Sequence, residues 1–478
     1  MSRKNRFTQI LKYVFVLFFW IIIWYFLSLN INNSIFLPTP KDTFGAFINI
    51  CRNEEFFVIV FNSFFRIVKG FLGAVILGFI LSVVSFFVEF IEILITPVMK
   101  LVKTIPVASF VILALLWIDS SNLSVLISFM MVLPIVYINL FTAFKGVNKR
   151  LLEISKVFEV SIYRRIRFIY VPQVFPAFIS ACKIGLGFAF KAGIAAEIIG
   201  LPVKSIGWEL YQSKLYLMTE EMFAWTIIIV LISIFFEVLC IYLLTKLSEL
   251  VMKVNVKANK VSKKQCSDVD KVKDENYKIR LENVSKSYGK KLVLNNINVN
   301  IDNSRVIGIM GESGVGKTTL IRIMLGLIKN YSGNISIRNK ENNEVIRYPL
   351  KKAVVFQEDR LIENADVYTN IYAILGDTLN KVQIDKHLKE LGLEGLGEKK
   401  VSEFSGGMKR RVEIMRAILS NADIYILDEA FKGLDDKNRD MAIEYVKKYT
   451  TGKILIVISH DMDECEKFNA KVVNLNEG

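Results

Sequence analysis

Six apolar runs near the length that carries a helix through a bilayer, about 20 residues, lie in the first half of this chain, and the second half has none. They fall at roughly 10–29, 64–88, 93–118, 123–144, 174–196 and 222–247. The first 250 residues hold 36 charged side chains against 71 in the remaining 228. A helical membrane part, 1–252, is therefore expected ahead of a soluble part, with the Lys-, Asp- and Asn-rich stretch 253–277 as a solvated linker. The net charge of +15 divides almost evenly between the halves, so no basic tail is present and nucleic acid is not an expected partner. The five cysteines are scattered and only two histidines, His387 and His460, occur. That excludes a thiolate zinc site and a disulfide framework.

Orientation follows from the basic residues of short loops. Between Lys145 and Pro172 stand Lys145, Lys149, Arg150, Lys156, Arg164, Arg165 and Arg167 against Glu153 and Glu159. This loop is expected in the cytoplasm with the N-terminus, and six spans then return the C-terminus to the same side. The first run reads as a retained anchor, because Ser28, Leu29 and Asn30 offer no small-x-small cleavage site. Arg66 and Lys69, at the outer end of the second run, fit this scheme only if they are buried or snorkel.

From residue 278 onward, short β-rich runs (306–310, 353–357, 424–428, 454–459) alternate with helical stretches, as an α/β domain around a largely parallel sheet requires. Gly311, Glu312, Ser313, Gly314, Val315, Gly316, Lys317 and Thr318 join the first of these runs to the helical stretch that opens at Thr319. Glycines there let the backbone wrap a phosphate, whose charge meets N–H groups and the positive end of the following helix. Lys317 adds a charge for the outer phosphates, and the Thr318 hydroxyl can ligate magnesium. Asp428 and Glu429 end a strand of buried type, and neighbours on a strand point to opposite faces. Asp428 can hold a metal while Glu429 addresses another target, such as an attacking water.

The order of the remaining pieces, Tyr288, Gln357, the triplet Ser405, Gly406 and Gly407, Asp435 and His460, resembles the ATPase domain of ABC transporters over residues 278–478. That resemblance implies ATP and Mg2+ as cofactors, with Thr318, Gln357 and Asp428 on the metal. Tyr288 would stack on adenine, and 311–319 with Gln357 would hold the phosphates. Glu429 would be the general base and His460 a γ-phosphate contact. Ser405, Gly406 and Gly407 would close over the ATP of a second subunit, with Asp435 at the seam. The chain departs from the family pattern at Phe404, Met408 and Ala430, none of which contacts phosphate. Phe356 to Leu361 resembles the nitrate, sulfonate and taurine branch, without its Pro-Trp pair at Glu363 and Asn364.

In the membrane half, Glu153 to Ser155 and Val171-Pro172 resemble the coupling loop of permeases in binding-protein-dependent importers, with Glu159 where a Gly is usual. Phe36 to Pro40, Lys103 to Pro106 and Ala195 to Gly200 resemble pieces of the same permeases. The implied fold class is a membrane all-α six-helix permease domain fused to a cytosolic α/β P-loop ATPase domain. The implied function is ATP-driven import across a bacterial cytoplasmic membrane of a small solute, an organic anion such as a sulfonate or taurine, or else nitrate, with Glu153 and Pro172 coupling the halves. The implied partners are a second copy of the chain, an extracellular substrate-binding protein, the lipid bilayer and the solute. An exporter half-transporter, an importer of a thiamine-type precursor and an ATP-sensing regulatory protein are the alternatives. Lys183 and Lys191 lie about 80° apart on a helix, so both can face one pathway. Alternatively, Lys183 snorkels and Lys191 bonds to backbone carbonyls. Glu197, at the edge of the same run, is a further functional candidate.

Overall fold

The computed structural model of the chain describes residues 3–31, 33–252, 277–302, 306–312, 314–339, 345, 350–376 and 379–475. The linker read at 253–277 lies outside the described residues except for Tyr277, and so does Ser313. Two compact units are present: Met1–Val147 with Pro172–Val251, and Asn148–Val171 with Met252–Gly478.

The helices of the first half are, in chain order, α1 (Arg3–Ile31), α2 (Pro40–Arg52), α3 (Phe56–Phe87), α4 (Glu89–Thr104), α5 (Val107–Ala114), α6 (Ser120–Lys145), α7 (Lys149–Val157), α8 (Ile162–Arg165), α9 (Val171–Gly200), α10 (Ile206–Leu215) and α11 (Thr219–Met252). Among the described residues five stretches are long and apolar enough to cross a membrane: Val14–Ile31, Phe56–Phe87, Ser120–Lys145, Ile162–Gly200 and Thr219–Glu249. The third apolar run, read from sequence as one span, is instead the pair α4 and α5, bent by 102°. Pro106 is the cause. It has no N–H to continue the helix and disfavours the helical region for the residue before it, so Ile105 is extended at ψ 127°. Counted as one broken span, the pair makes six.

Close packing of α3, α6 and α9 forms the centre of this unit. A Cβ on Gly70 would lie 2.3 Å from the Val125 carbonyl oxygen, and one on Gly193 would lie 2.6 Å from Ile67 Cγ1 and Ser128 Oγ. Small residues let the backbones approach in lipid, where apolar side chains gain nothing from leaving their solvent. Hydroxyls add cross-links, with Ser128 Oγ donating to the Ala189 carbonyl at 3.0 Å and Tyr137 Oη to Ser85 Oγ at 3.1 Å.

Arg66 is not at a helix end. It stands inside α3, with Nη1 3.6 Å from Glu197 Oε1. Glu197 is fully buried and also accepts from Ser63 Oγ (2.7 Å) and Gly207 N (3.3 Å). This carboxylate pins the turn between α9 and α10 onto α3, which is a structural use. Lys183 pairs with Glu237 of α11 at 3.6 Å, whereas Lys191 is exposed.

The second unit holds β1 (Tyr277–Tyr288), β2 (Lys291–Asp302), β3 (Val306–Met310), α12 (Lys317–Met324), β4 (Ser332–Asn339), β5 (Lys352–Val355), α13 (Val367–Leu375), α14 (Lys381–Glu390), α15 (Gly406–Leu419), β6 (Ile424–Asp428), α16 (Asp436–Thr450), β7 (Ile454–Ile458), α17 (Met462–Lys467) and β8 (Lys471–Asn474). A parallel sheet of order β5-β6-β7-β3-β8 stands beside an antiparallel one of order β2-β1-β4. Every residue of β6 and β7 is buried, as parallel strands covered on both faces must be. Ile154, Val157 and Val160, from the segment Asn148–Val171, bury their side chains in the same core as Ile307, Ile426 and Ile456. Glu159 turns the chain there at φ 50°, the left-handed region that glycine enters without cost.

Replacing Gly70 by Ala is expected to destabilise the membrane unit by about 1–3 kcal/mol, because backbone rather than a movable side chain blocks the new carbon. Gly73→Ala, whose added atom would sit 3.5 Å from the Phe129 ring, is expected to be near neutral. All five tryptophans (20, 24, 117, 208 and 225) lie in this unit, so a fluorescence-monitored heat melt of the detergent-solubilised chain reads it alone.

Candidate functional site

The carboxyl ends of β3, β5, β6 and β7 place one cluster of polar side chains. β3 runs into the loop 311–316, and α12 begins at Lys317. Gly316 has φ 107°, and a Cβ there would lie 2.8 Å from the Val293 carbonyl oxygen, so the turn requires glycine on both counts. Lys317 is buried and folds back over the loop, donating to the Gly311 carbonyl at 2.5 Å and the Glu312 carbonyl at 3.2 Å, with His460 Nε2 3.2 Å away. Burial pushes its ammonium below the usual lysine range, and Glu429 and Asp428 oppose that shift.

Asp428 ends β6 and is 3% exposed, and its Oδ2 has no hydrogen-bond partner. Burial, then the neighbouring Glu429, push its carboxyl up to about 6. A buried carboxylate oxygen without a donor is the kind of ligand a hard cation such as Mg2+ takes, and the side chains of Thr318 and Gln357 are exposed and carry oxygens of the same kind. Glu429 follows with φ 46°, its N–H donating to the Ile458 carbonyl at 2.9 Å. Gln357 Nε2 (3.0 Å) and Lys432 Nζ (2.9 Å) donate to Glu429 Oε2, and His460 Nε2 lies 3.2 Å from Oε1. A carboxylate so held can orient a water and take its proton once a donor leaves.

A second cluster surrounds Glu153 on α7. Its carboxylate accepts from Arg322 Nη2 of α12 at 3.1 Å to both oxygens, and from Arg360 Nη1 at 2.7 Å. Arg360 is 4% exposed, lies over the Phe356 ring at 3.4 Å and gives its backbone N–H to Glu413 Oε1 at 2.6 Å. Arg410 Nη1 and Nη2 donate to the carbonyls of Phe356 and Gln357, each at 2.5 Å, and Arg416 Nη1 donates to the Arg360 carbonyl at 2.9 Å. One carboxylate thus touches the helix after the phosphate loop and the strand-end turn that carries Gln357.

Residues 294–432 match the ABC transporter family, and residues 74–253 match the family of binding-protein-dependent transport system inner membrane components. The phosphonates import ATP-binding protein PhnC of Fusobacterium nucleatum is 32% identical over 223 residues, 42% of this chain and 89% of that protein. This chain belongs to the ABC transporter family. Two spermidine/putrescine import ATP-binding proteins PotA are similar as well: that of Mycoplasma capricolum at 33% identity over 43% of this chain, and that of Desulfitobacterium hafniense at 34% over 42%. The chain spans 60% of the length of either PotA.

Of the residues singled out in sequence, Lys317, Gln357, Asp428, Glu429 and His460 converge in this ABC-type domain. The others are spread along it. Tyr288 ends β1, half exposed, with Lys286 Nζ 5.2 Å from its ring centre. Gly314, Val315 and Thr319 lie in the loop and the first turn of α12. Ser405 caps α15, accepting the Met408 N–H, and Gly406 and Gly407 open that helix. Among the described residues no hydrogen bond joins this triplet to the phosphate loop. Asp435 caps α16, and hydrogen bonds from Asn438 hold its carboxyl below the usual range. Pro172 is the second residue of α9, just after a π-helical turn, Ile166–Tyr170, in which Val171 N–H donates to the Ile166 carbonyl. His387 lies outside both clusters, with Nδ1 2.8 Å from Tyr445 Oη.

Sequence reasoning missed Lys432, Arg322, Arg360, Arg410 and Glu413. The spacing of Arg410, Glu413 and Arg416 on one helix face was a readable signal. Lys432 stands three residues after Glu429, a spacing that was also open to reading, whereas for Arg322 no pattern in the sequence points to the partner.

The folded pKa of about 6 for Asp428 exceeds its ordinary 3.8, so the folded chain keeps a proton between about pH 4 and 6 that the unfolded chain has lost. The stability this supplies is full below about pH 4 and is lost as pH rises through about 6. In the nucleotide-free chain with chelator, Asp428→Asn is expected to raise stability by about 1–3 kcal/mol at pH 7.5 and by almost nothing at pH 4. Calorimetric melts at the two pH values check this.

Proposed function

We propose that this chain is an ATP-driven importer of a small solute that works as a two-fold homodimer in a bacterial cytoplasmic membrane. A separate extracellular binding protein delivers the solute. The observation that carries the reading is Glu153, which lies within the stretch matching the permease family yet bonds Arg322 and Arg360 of the ATPase fold. A membrane component whose loop grips the nucleotide machinery is built to exchange work with it. The basic residues around Glu153 set this loop in the cytoplasm.

In this reading the loop 311–319, Tyr288 and Gln357 bind ATP, Glu429 is the general base and His460 touches the γ-phosphate. The Ser405, Gly406 and Gly407 triplet of each subunit covers the nucleotide of the other, and Asp435 meets the seam. Thr318, Gln357 and Asp428 would hold Mg2+, which neutralises charge on the phosphates when bound. Glu153 and Pro172 carry the motion to the membrane half. An exporter would need two long cytoplasmic extensions, whereas α3 and α4 are joined by Val88 alone. The PotA and PhnC relatives are named for polyamine and phosphonate import. Those likenesses lie with the ATP-binding subunits, so the solute is read from the membrane half, as an organic anion.

Glu429→Gln is expected to lower phosphate release at least about a hundredfold, the range for loss of a general base, while ATP still binds. Phosphate release and nucleotide binding by the full chain in lipid nanodiscs measure both. Turnover unchanged by the substitution sinks the assignment of Glu429.

A further inference from the structure

The membrane unit carries a groove of about 450 Å3 between the end of α4, the middle of α6 and one face of α9. Its walls are mostly apolar, with Met130, Met131, Ile184 and Phe188 among them, and two polar side chains, Lys103 and Asn139, enter it. Glu92 bonds Lys145 at 2.5 Å, which fixes one level near the cytoplasmic ends of α4 and α6. From that level, at 1.5 Å per residue, Lys103 stands about 16 Å along α4 and Asn139 about 9 Å along α6. The first height is close to the middle of a hydrocarbon layer about 30 Å thick.

Lys103 is exposed at that depth, and no carboxylate pairs with it among the described residues. Lys191 continues the same stripe of α9 three residues beyond Phe188, and it too is exposed and without an ionic partner among the described residues. Lys183, by contrast, is taken by Glu237. An uncompensated ammonium group at the depth of Lys103 is costly among lipid tails, so the groove that Lys103 enters calls for water or an anion. Asn139 spends one N–H on the Ile135 carbonyl at 2.7 Å, and its second remains to donate.

We propose that this groove binds the transported solute and that the solute is a small organic anion, its acidic group on Lys103, with Lys191 one turn beyond Phe188 adding positive charge, and its apolar part against Phe188 and the methionines. The inference rests on the transport reading above and adds to it the place of the cargo and the side chains that hold it.

The test introduces Phe188→Cys, and in parallel Met131→Cys, into the full chain in liposomes. Each is treated with 2-sulfonatoethyl methanethiosulfonate or with 2-(trimethylammonio)ethyl methanethiosulfonate. Peptide mass spectrometry follows modification at the introduced thiol alone, and each rate is divided by that reagent's rate with free 2-mercaptoethanol. The anionic reagent is expected to be favoured about tenfold, and Lys103→Gln with Lys191→Gln is expected to bring the ratio to about one. A preference for the cationic reagent, no preference, or inertness of both cysteines to both reagents overturns the proposal, the last showing a face covered by lipid or a second chain. Because labelling needs no ATP, failure here with Glu429-dependent turnover intact removes the groove alone. Charge-selective labelling without such turnover removes the ATP-driven reading instead.

Discussion

Glu153 is the carboxylate on which the arrangement of the second unit depends. It sits on a short helix that buries Ile154 and Val157 in the ATPase core, so its position is set by packing before any charge is counted. Its two arginines differ in exposure. The Arg322 side chain is 36% exposed and that of Arg360 only 5%. The first pair contributes little by itself, about 0–1 kcal/mol. Removing the partner of the second leaves a buried guanidinium uncompensated, which costs about 3–5 kcal/mol. The contact is therefore expensive to break on the side that carries Gln357.

Below it, Glu413 and Arg416 are almost fully buried and Arg410 nearly so. Such a cluster is poor stabilisation compared with apolar packing, but it is geometrically strict. Arg410 holds the carbonyls of Phe356 and Gln357, while its own helix begins at Ser405, Gly406 and Gly407. Displacement of Glu153 is thus felt both at the strand end beside the phosphate loop and along the helix that opens with the glycine triplet.

The elements legible in the sequence were those fixed by local chemistry. Val306–Met310, Ile424–Asp428 and the glycine loop were readable because buried parallel strands are unbroken apolar runs and a phosphate turn demands positive φ. Hydropathy located the membrane helices but saw no break at Pro106, since the apolar run resumes at once in Val107–Ala114. It also set Arg66 at a span end, because the apolar run was read from residue 64 whereas α3 begins at Phe56. The two arginines on Glu153 escaped because they lie 169 and 207 residues from it, whereas Lys432 stands only three residues after Glu429. Long-range ionic contacts are set by topology, which no window of sequence contains.

The central claim is that nucleotide-driven closure reaches the membrane half through Glu153. A nitroxide at Lys204, on the exposed turn between α9 and α10, reports in a homodimer the distance between the two copies by electron spin resonance. The account predicts that ATP with vanadate shifts this distance by several ångströms in the otherwise unaltered chain and leaves it unmoved when Glu153 is replaced by Arg. A full shift in Glu153→Arg, with nucleotide still trapped, would contradict it.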